Sequence, residues 1–329
     1  MNVFDLLIKH LNNVSIENLT KLERRVFMVS VKNIIELLDC IVPFDCVAKK
    51  DNSGLLVGSN SYEVTKVLFA VDLTELVIDE AIEKGCQMIV THHHMMGKGI
   101  KTVTPSTYEG RAIGTLLEHK IAFVACHNNL DFLTDGTAHT LMTSIGILET
   151  RPLYEGFAFL ATTPQEINAT SITVPKRPGI RNDLRAGFGM VGDLDSYCTL
   201  IDIIHRLEGI VTGPVNVVGS DEHLIKRVSC QVGAGEQSDI DRSKELGVDL
   251  FISGDVRHDN RLYAKRVGMC LLDFCHYEVE LPGILALASK LKEEIKKSNI
   301  NVEILISDSP QPVRHLTMAT PLDLSKFRL

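Results

Sequence analysis

The sequence predicts an α/β chain made of two halves, each a sheet flanked by helices. Three observations lead there. Apolar runs of strand length recur along the chain, stretches with apolar residues at helical spacing lie between them, and imidazoles and carboxylates gather directly after the apolar runs.

Composition bounds the reading. With 329 residues, 45% hydrophobic and 23% charged, the chain is long enough for two ordinary domains and too apolar for disorder on a large scale. A formal charge of −8 argues against a general nucleic-acid binder, because phosphate backbones are held mainly by clustered Lys and Arg. No apolar run approaches the ~20 residues needed to cross a bilayer. The start, Met1 to Asp5, lacks the basic and apolar regions of a secretion signal, so a cytoplasmic location with no membrane association is expected. The eight cysteines contain no C-x-x-C pair, which points to reduced, mostly buried thiols and away from a thiolate zinc cluster.

Residues 1–30 carry apolar positions at roughly helical spacing (Phe4, Leu7, Ile8, Leu11) and read as a helical extension before the main fold. The first α/β half is expected over 31–146. It opens with an amphipathic helix on Val31, Ile34, Ile35 and Leu38, stopped by Pro43, followed by the turn cluster Asp51-Asn52-Ser53-Gly54 and a short strand to Gly58. Lys66–Val71 is a strand, Asp72 and Thr74 can cap a helix bearing Leu76, Val77, Ala81 and Ile82, and Cys86–Val90 is a second strand, parallel to the first. It ends in Thr91-His92-His93-His94. Ile121–Cys126 is the next strand, and His127-Asn128-Asn129-Leu130-Asp131 follows at once; a helix is expected over Gly136–Ser144.

The second half is expected over 147–313, with 314–329 as a tail. Prolines break 150–220 into short pieces around one good helix, Leu200–Leu207. Arg227–Val232 is a strand with a glycine-rich exit, Gly233-Ala234-Gly235, which as a strand-to-helix turn can cradle an anion. Val248–Ile252 and Met269–Phe274 are further strands, the former followed by Ser253-Gly254-Asp255 and His258-Asp259, the latter by Cys275-His276-Tyr277-Glu278-Val279-Glu280. Pro282 is expected to open the final helix, and Val302–Ser307 to be the last strand.

Open α/β sheets bind ligands beyond the carboxyl ends of their strands. His92, His93, His127, Asp131, His276 and Glu280 all occupy such positions, which points to a shared pocket. Neutral imidazoles with carboxylates suit Zn, Fe, Mn or Co rather than Ca or Cu(I). Adjacent His92 and His93 point opposite ways on an extended backbone, so one each for two neighbouring ions is easier than both for one, and a carboxylate such as Asp131 or Glu280 can bridge the pair.

The order of Asp51-Asn52-Ser53-Gly54-Leu55 to Gly58, Thr91-His92-His93, His127 to Asp131, Cys230 to Ser238, Ser253-Gly254-Asp255 with His258-Asp259, and His276 to Glu280 resembles the Nif-three-like family. These are relatives of Ngg-one-interacting factor three, often named GTP cyclohydrolase type-two homologues. The likeness runs from about Val31 to Pro312. It implies a two-part α/β fold with a dinuclear metal site in the cleft between the parts, and a ring-like homohexamer built from dimers. Carried over by motif, it implies two divalent metal ions per chain held by His92, His93, Asp131, His276 and Glu280, with His127 and His258 as outer-shell or proton-transfer residues. The chain departs from the family pattern in having Lys50 where Trp is frequent and His94 where Pro is frequent.

The leading expectation is a metal-dependent hydrolase acting on a phosphorylated or nucleotide-like small molecule. The alternative is a non-catalytic metal-binding scaffold or regulatory protein with protein partners. GTP cyclohydrolase type-two-like activity is a weaker third, since nothing in these residues demands guanine recognition.

Overall fold

The computed structural model describes residues 28–48, 51–95, 99–155, 174–176, 178–309 and 313. The helical extension expected over 1–30, but for its last three positions, and the tail 314–329 lie outside the described residues. The chain divides into two compact units. One takes the residues up to Thr137 with Tyr154–Phe188 and Gly283–Ser307; the other takes Ala138–Leu153, Gly189–Pro282 and the residues from Asp308.

The first unit opens with α1 (Val31–Ile41), capped reciprocally by Ser30 and Asn33, with Val31, Ile34 and Leu38 as its buried stripe. Then come β1 (Gly54–Val57), β2 (Lys66–Ala70), α2 (Glu75–Glu83), β3 (Met88–Thr91), α3 (Tyr108–Glu118), β4 (Ala122–Ala125) and the single turn α4 (Asn128–Asp131). The sheet order is β1-β4-β3-β2, with the strand Glu303–Ile306 on the far side of β2. β2, β3 and β4 run parallel, and β1 is antiparallel at the edge. Every residue of β3 and β4 is buried. That is why these strands read as continuous apolar runs rather than alternating ones. Because β3 and β4 are parallel, the histidine triplet and His127 leave the sheet at the same end.

The second unit takes all but the first residue of α5 (Thr137–Ser144), the larger part of β5 (Thr150–Glu155) and of β6 (Gly187–Thr199), then α6 (Leu200–Leu207), β7 (Asn216–Val218), β8 (Leu224–Ala234), α7 (Gln237–Glu245), β9 (Leu250–Gly254), α8 (His258–Val267) and β10 (Cys270–Phe274), and α9 (His276–Lys297) begins in it. Its strands lie in the order β5-β6-β8-β9-β10-β7. β8, β9 and β10 are parallel, flanked by antiparallel β6 and β7. One apolar core gathers Leu141, Met190, Ile203, Val228, Ile252, Leu272 and Val279. The 13-residue β6 is the main element that the proline-broken middle of the sequence concealed: its burial alternates only loosely, so no strand period is legible there.

Pro282 does not open the last helix. α9 starts six residues earlier, at His276, and carries Pro282 inside it. A proline within a helix removes one hydrogen bond and crowds the carbonyl four residues back. Burial of Val279, Ile284, Leu287 and Leu291 outweighs that cost.

Candidate metal centre

In the first unit the backbone itself gathers the imidazoles. β3 ends at Thr91, and the amides of His92 and His93 both donate to the carbonyl of Val71, at 3.1 and 3.0 Å. The chain bends there instead of staying extended, so the two rings do not diverge as expected; their centroids lie 4.9 Å apart. His127 joins them, its ring 5.1 Å from that of His92 and 5.7 Å from that of His93. The three offer ligand nitrogens all within 4.8 Å of one another.

Hydrogen bonds orient these rings. His92 is fully buried and its Nδ1 sits 3.0 Å from the carbonyl oxygen of Cys126. A carbonyl only accepts, so His92 carries a proton on Nδ1 and turns its Nε2 toward Asp131 Oδ2, 3.6 Å away. His93 Nδ1 lies 2.8 Å from Asp72 Oδ1. Asp131, one helical turn after His127, is held by the Thr137 hydroxyl, which donates to its Oδ1 at 2.6 Å.

His127 Nδ1 meets Asp51 Oδ2 at 2.5 Å, and Ser53 donates to Asp51 Oδ1 from both its amide and its hydroxyl. Burial works to raise the Asp51 carboxyl, but the bonds from His127 and Ser53 prevail and hold it below its ordinary value. Burial and the neighbouring His127 together push the His94 imidazole down, so it is neutral near pH 7.

In the second unit His276 and Glu280 lie one turn apart on α9, and His276 Nε2 sits 3.0 Å from Glu280 Oε1. The early start of α9 puts them on one face. His276 Nδ1 faces Asp255 Oδ2 at 3.2 Å, and Asp255 holds a left-handed φ of 46°. That non-glycine strain is of the kind that collects at functional sites. His258 opens α8 and is exposed; among the described residues it makes no hydrogen bond or ion pair with His276 or Glu280.

Glycines at the ends of two neighbouring strands, Gly233 in β8 and Gly254 in β9, make room here. A Cβ at Gly233 would come within 3.4 Å of Glu280 Oε1 and 3.5 Å of His276, and one at Gly254 within 3.0 Å of the His276 Cα. Asp239 accepts from the backbone amide of Glu236 where α7 begins, as in a strand-to-helix turn. The glycines serve packing against His276 and Glu280. Beside His276 lies a cavity of about 410 Å³, lined in part by Asn216, Asp255, Arg257, Arg261 and Cys275.

Each unit thus presents imidazoles whose Nδ1 is engaged by an oxygen and, at His92 and His276, an Nε2 facing a carboxylate. This is how proteins orient histidine for a divalent ion, and the donor set fits Zn, Fe, Mn or Co. The orienting acids Asp51, Asp72 and Asp255 escaped the sequence reading. Asp51 passed as a turn residue and Asp72 as a helix cap, whereas Thr74 is the residue that caps α2. The eight cysteines form no disulfide, and burial lifts the Cys126 thiol to about 12, which leaves it inert.

The profile of the Duf34/NIF3 family (NGG1p interacting factor 3) matches residues 29–312. The chain belongs to this family. Among NIF3-family relatives it is 30% identical over 281 residues to the "GTP cyclohydrolase 1 type 2 homolog" of Clostridium perfringens, covering 85% of this chain and 96% of that protein. The Staphylococcus aureus hypothetical protein SA1388 superposes with a TM-score of 0.72 at 28% identity, over 88% of this chain and 100% of that one. A Bacillus cereus protein related to NIF3 shares the fold at a TM-score of 0.73 and 20% identity, again over 88% of this chain and 100% of the other. Membership agrees with the resemblance seen in the sequence, and the two-sheet α/β architecture is that of these NIF3 structures.

Proposed function

We propose that this chain holds two divalent ions through His92, His93, Asp131, His276 and Glu280, and acts as a metal-dependent hydrolase on a phosphorylated or nucleotide-like small molecule. The observation that carries the reading is the orientation of the imidazoles: His92, His93 and His276 each have Nδ1 engaged by an oxygen, which leaves Nε2 as the ligand atom. When bound, such ions supply Lewis acidity and make water acidic enough to attack near neutral pH.

The chain's own residues supply the rest. With Nδ1 engaged by Asp51, His127 has Nε2 left as the atom that takes up a proton in the role of general base. His258 is the weaker proton carrier of the two, because its ring is exposed and no carboxylate orients it among the described residues. The cavity beside His276 is of the size that takes a small ligand; Arg257 lines it as a donor suited to a phosphoryl group, beside Arg261, which is paired with Asp273 at 3.1 Å. A ring-shaped homohexamer in the cytoplasm is part of the same proposal.

The test is turnover by metal-loaded protein across a panel of phosphoesters and nucleotides, with Asp131→Ala and His93→Ala beside it. Hydrolysis lost in both variants is the expected result. Activity that persists in both marks a contaminant and ends the hydrolase reading, and protein-partner binding that survives chelation would favour a scaffold.

A further inference from the structure

His94 stands where the proposed ligand set has no use for it. Its side chain is only 14% exposed, its Nδ1 is buried with no hydrogen-bond partner among the described residues, and its Nε2 is 3.7 Å from Asp51 Oδ2, too far for a hydrogen bond. A buried ring nitrogen left without a partner carries the cost of its lost hydration. Around it, Asp51, His94 and His127 offer ligand atoms all within 4.8 Å of one another. The rings of His94 and His127 stand edge to face, at 86° with centroids 5.0 Å apart. Ser53 holds Asp51 through Oδ1, and Oδ2 is the oxygen aimed at both imidazoles.

We infer that Asp51, His94 and His127 form a third divalent-cation site, separate from the proposed pair, with two imidazole nitrogens and one carboxylate oxygen as ligands. That donor set takes a first-row ion such as Zn²⁺ and leaves positions for water. The 3.7 Å gap between His94 and Asp51 is close to the spacing of two ligands on one ion, since bonds of roughly 2.0–2.2 Å at tetrahedral angles put ligand atoms a little over 3 Å apart. The 2.5 Å contact between His127 and Asp51 is shorter than that, so the ion takes the place of the proton on Nδ1 as the contact opens, and that proton is relayed through solvent to Nε2 with no net release. Once Nδ1 of His127 is a ligand, the proton of the neutral ring sits on Nε2. His127 then changes from acceptor to donor, and occupancy of this site opposes the base role proposed above.

The experiment uses the full chain. Zn²⁺ content is measured after dialysis against buffered Zn²⁺ for wild type, His94→Ala and His276→Ala, and anomalous difference maps are collected from wild-type and His276→Ala crystals grown with Zn²⁺. His94→Ala is expected to lose about one ion per chain relative to wild type. His276→Ala is expected to keep an anomalous peak at roughly 2.0–2.2 Å from a His94 nitrogen and an Asp51 oxygen. A wild-type map without that peak, or His94→Ala content equal to wild type, overturns the site. Should His94→Ala fail to fold, the wild-type map decides. A peak at His94 with none at His92 would sink the dinuclear centre and leave this site standing.

Discussion

His93 Nδ1 lies 2.8 Å from Asp72 Oδ1, so the residue just beyond β2 orients an imidazole just beyond β3. The parallel pairing of those strands, Ala70 opposite Thr91, brings the two exits side by side. Asp72→Asn keeps the shape and removes the charge. Metal affinity, read by competition with a chromogenic chelator, should fall about 10–100-fold, the usual cost of losing an orienting acid. The melting temperature of the metal-free protein should hardly move. Unchanged affinity would mean that Asp72 does not support a ligand.

Asp51 should matter to chemistry through His127. Replacing it with Asn reverses the tautomer preference of the ring, and in a comparable triad that change lowers kcat about 10⁴-fold. On a substrate found in the turnover panel, Asp51→Asn and His127→Ala should be similarly impaired and non-additive when combined. Full additivity would separate the two residues functionally.

Gly233 has a φ of 84°, and the space its missing side chain leaves is bounded by Glu280 and His276. Gly233→Ala therefore meets backbone strain and a 3.4 Å approach to Glu280 Oε1 together. A loss of roughly 1–3 kcal/mol in stability is expected, with weaker metal binding alongside. Denaturant unfolding measures the first and chelator competition the second; an alanine variant as stable as wild type would refute the packing role.

Away from the site, Arg227 donates to both Asp193 oxygens, at 2.7 and 2.9 Å, and lowers the Asp193 carboxyl from its ordinary value. A depressed folded value means the stabilisation is fully present above the unfolded pKa of about 3.9 and is lost as pH falls through the folded one. Both side chains are more than one-third exposed, so solvent screening keeps the pair under about 1 kcal/mol. Asp193→Asn should lower the melting temperature slightly at pH 7, and the difference from wild type should vanish near pH ~2. A gap that widens in acid would show the sign to be wrong.

Much of the fold was legible because its parallel strands are buried along their whole length. Lys66–Val71, Cys86–Val90, Ile121–Cys126 and Met269–Phe274 stand out as apolar runs, and the polar residues after them mark the ligand end of each sheet. β6 was not legible, since it lies among prolines and shows no clean alternation, and α3 passed unnoticed between the histidine triplet and β4. The helical start at His276 was masked by Pro282, whose local preference is overridden by burial on both sides of it.

By itself, the sequence determined the strand-helix alternation, the imidazoles and carboxylates beyond the strand ends, and the family pattern they spell. Tertiary structure alone decided that Asp51 and Asp72 serve His127 and His93, that the bend after Thr91, tied to the Val71 carbonyl, turns neighbouring rings together, that Gly233 in β8 and Gly254 in β9 clear space for His276 and Glu280, and that the strand Glu303–Ile306 joins the first sheet. Periodicity records which face of an element is buried. A hydrogen bond between residues 76 positions apart leaves no period behind, because it depends on where the sheet carries each side chain.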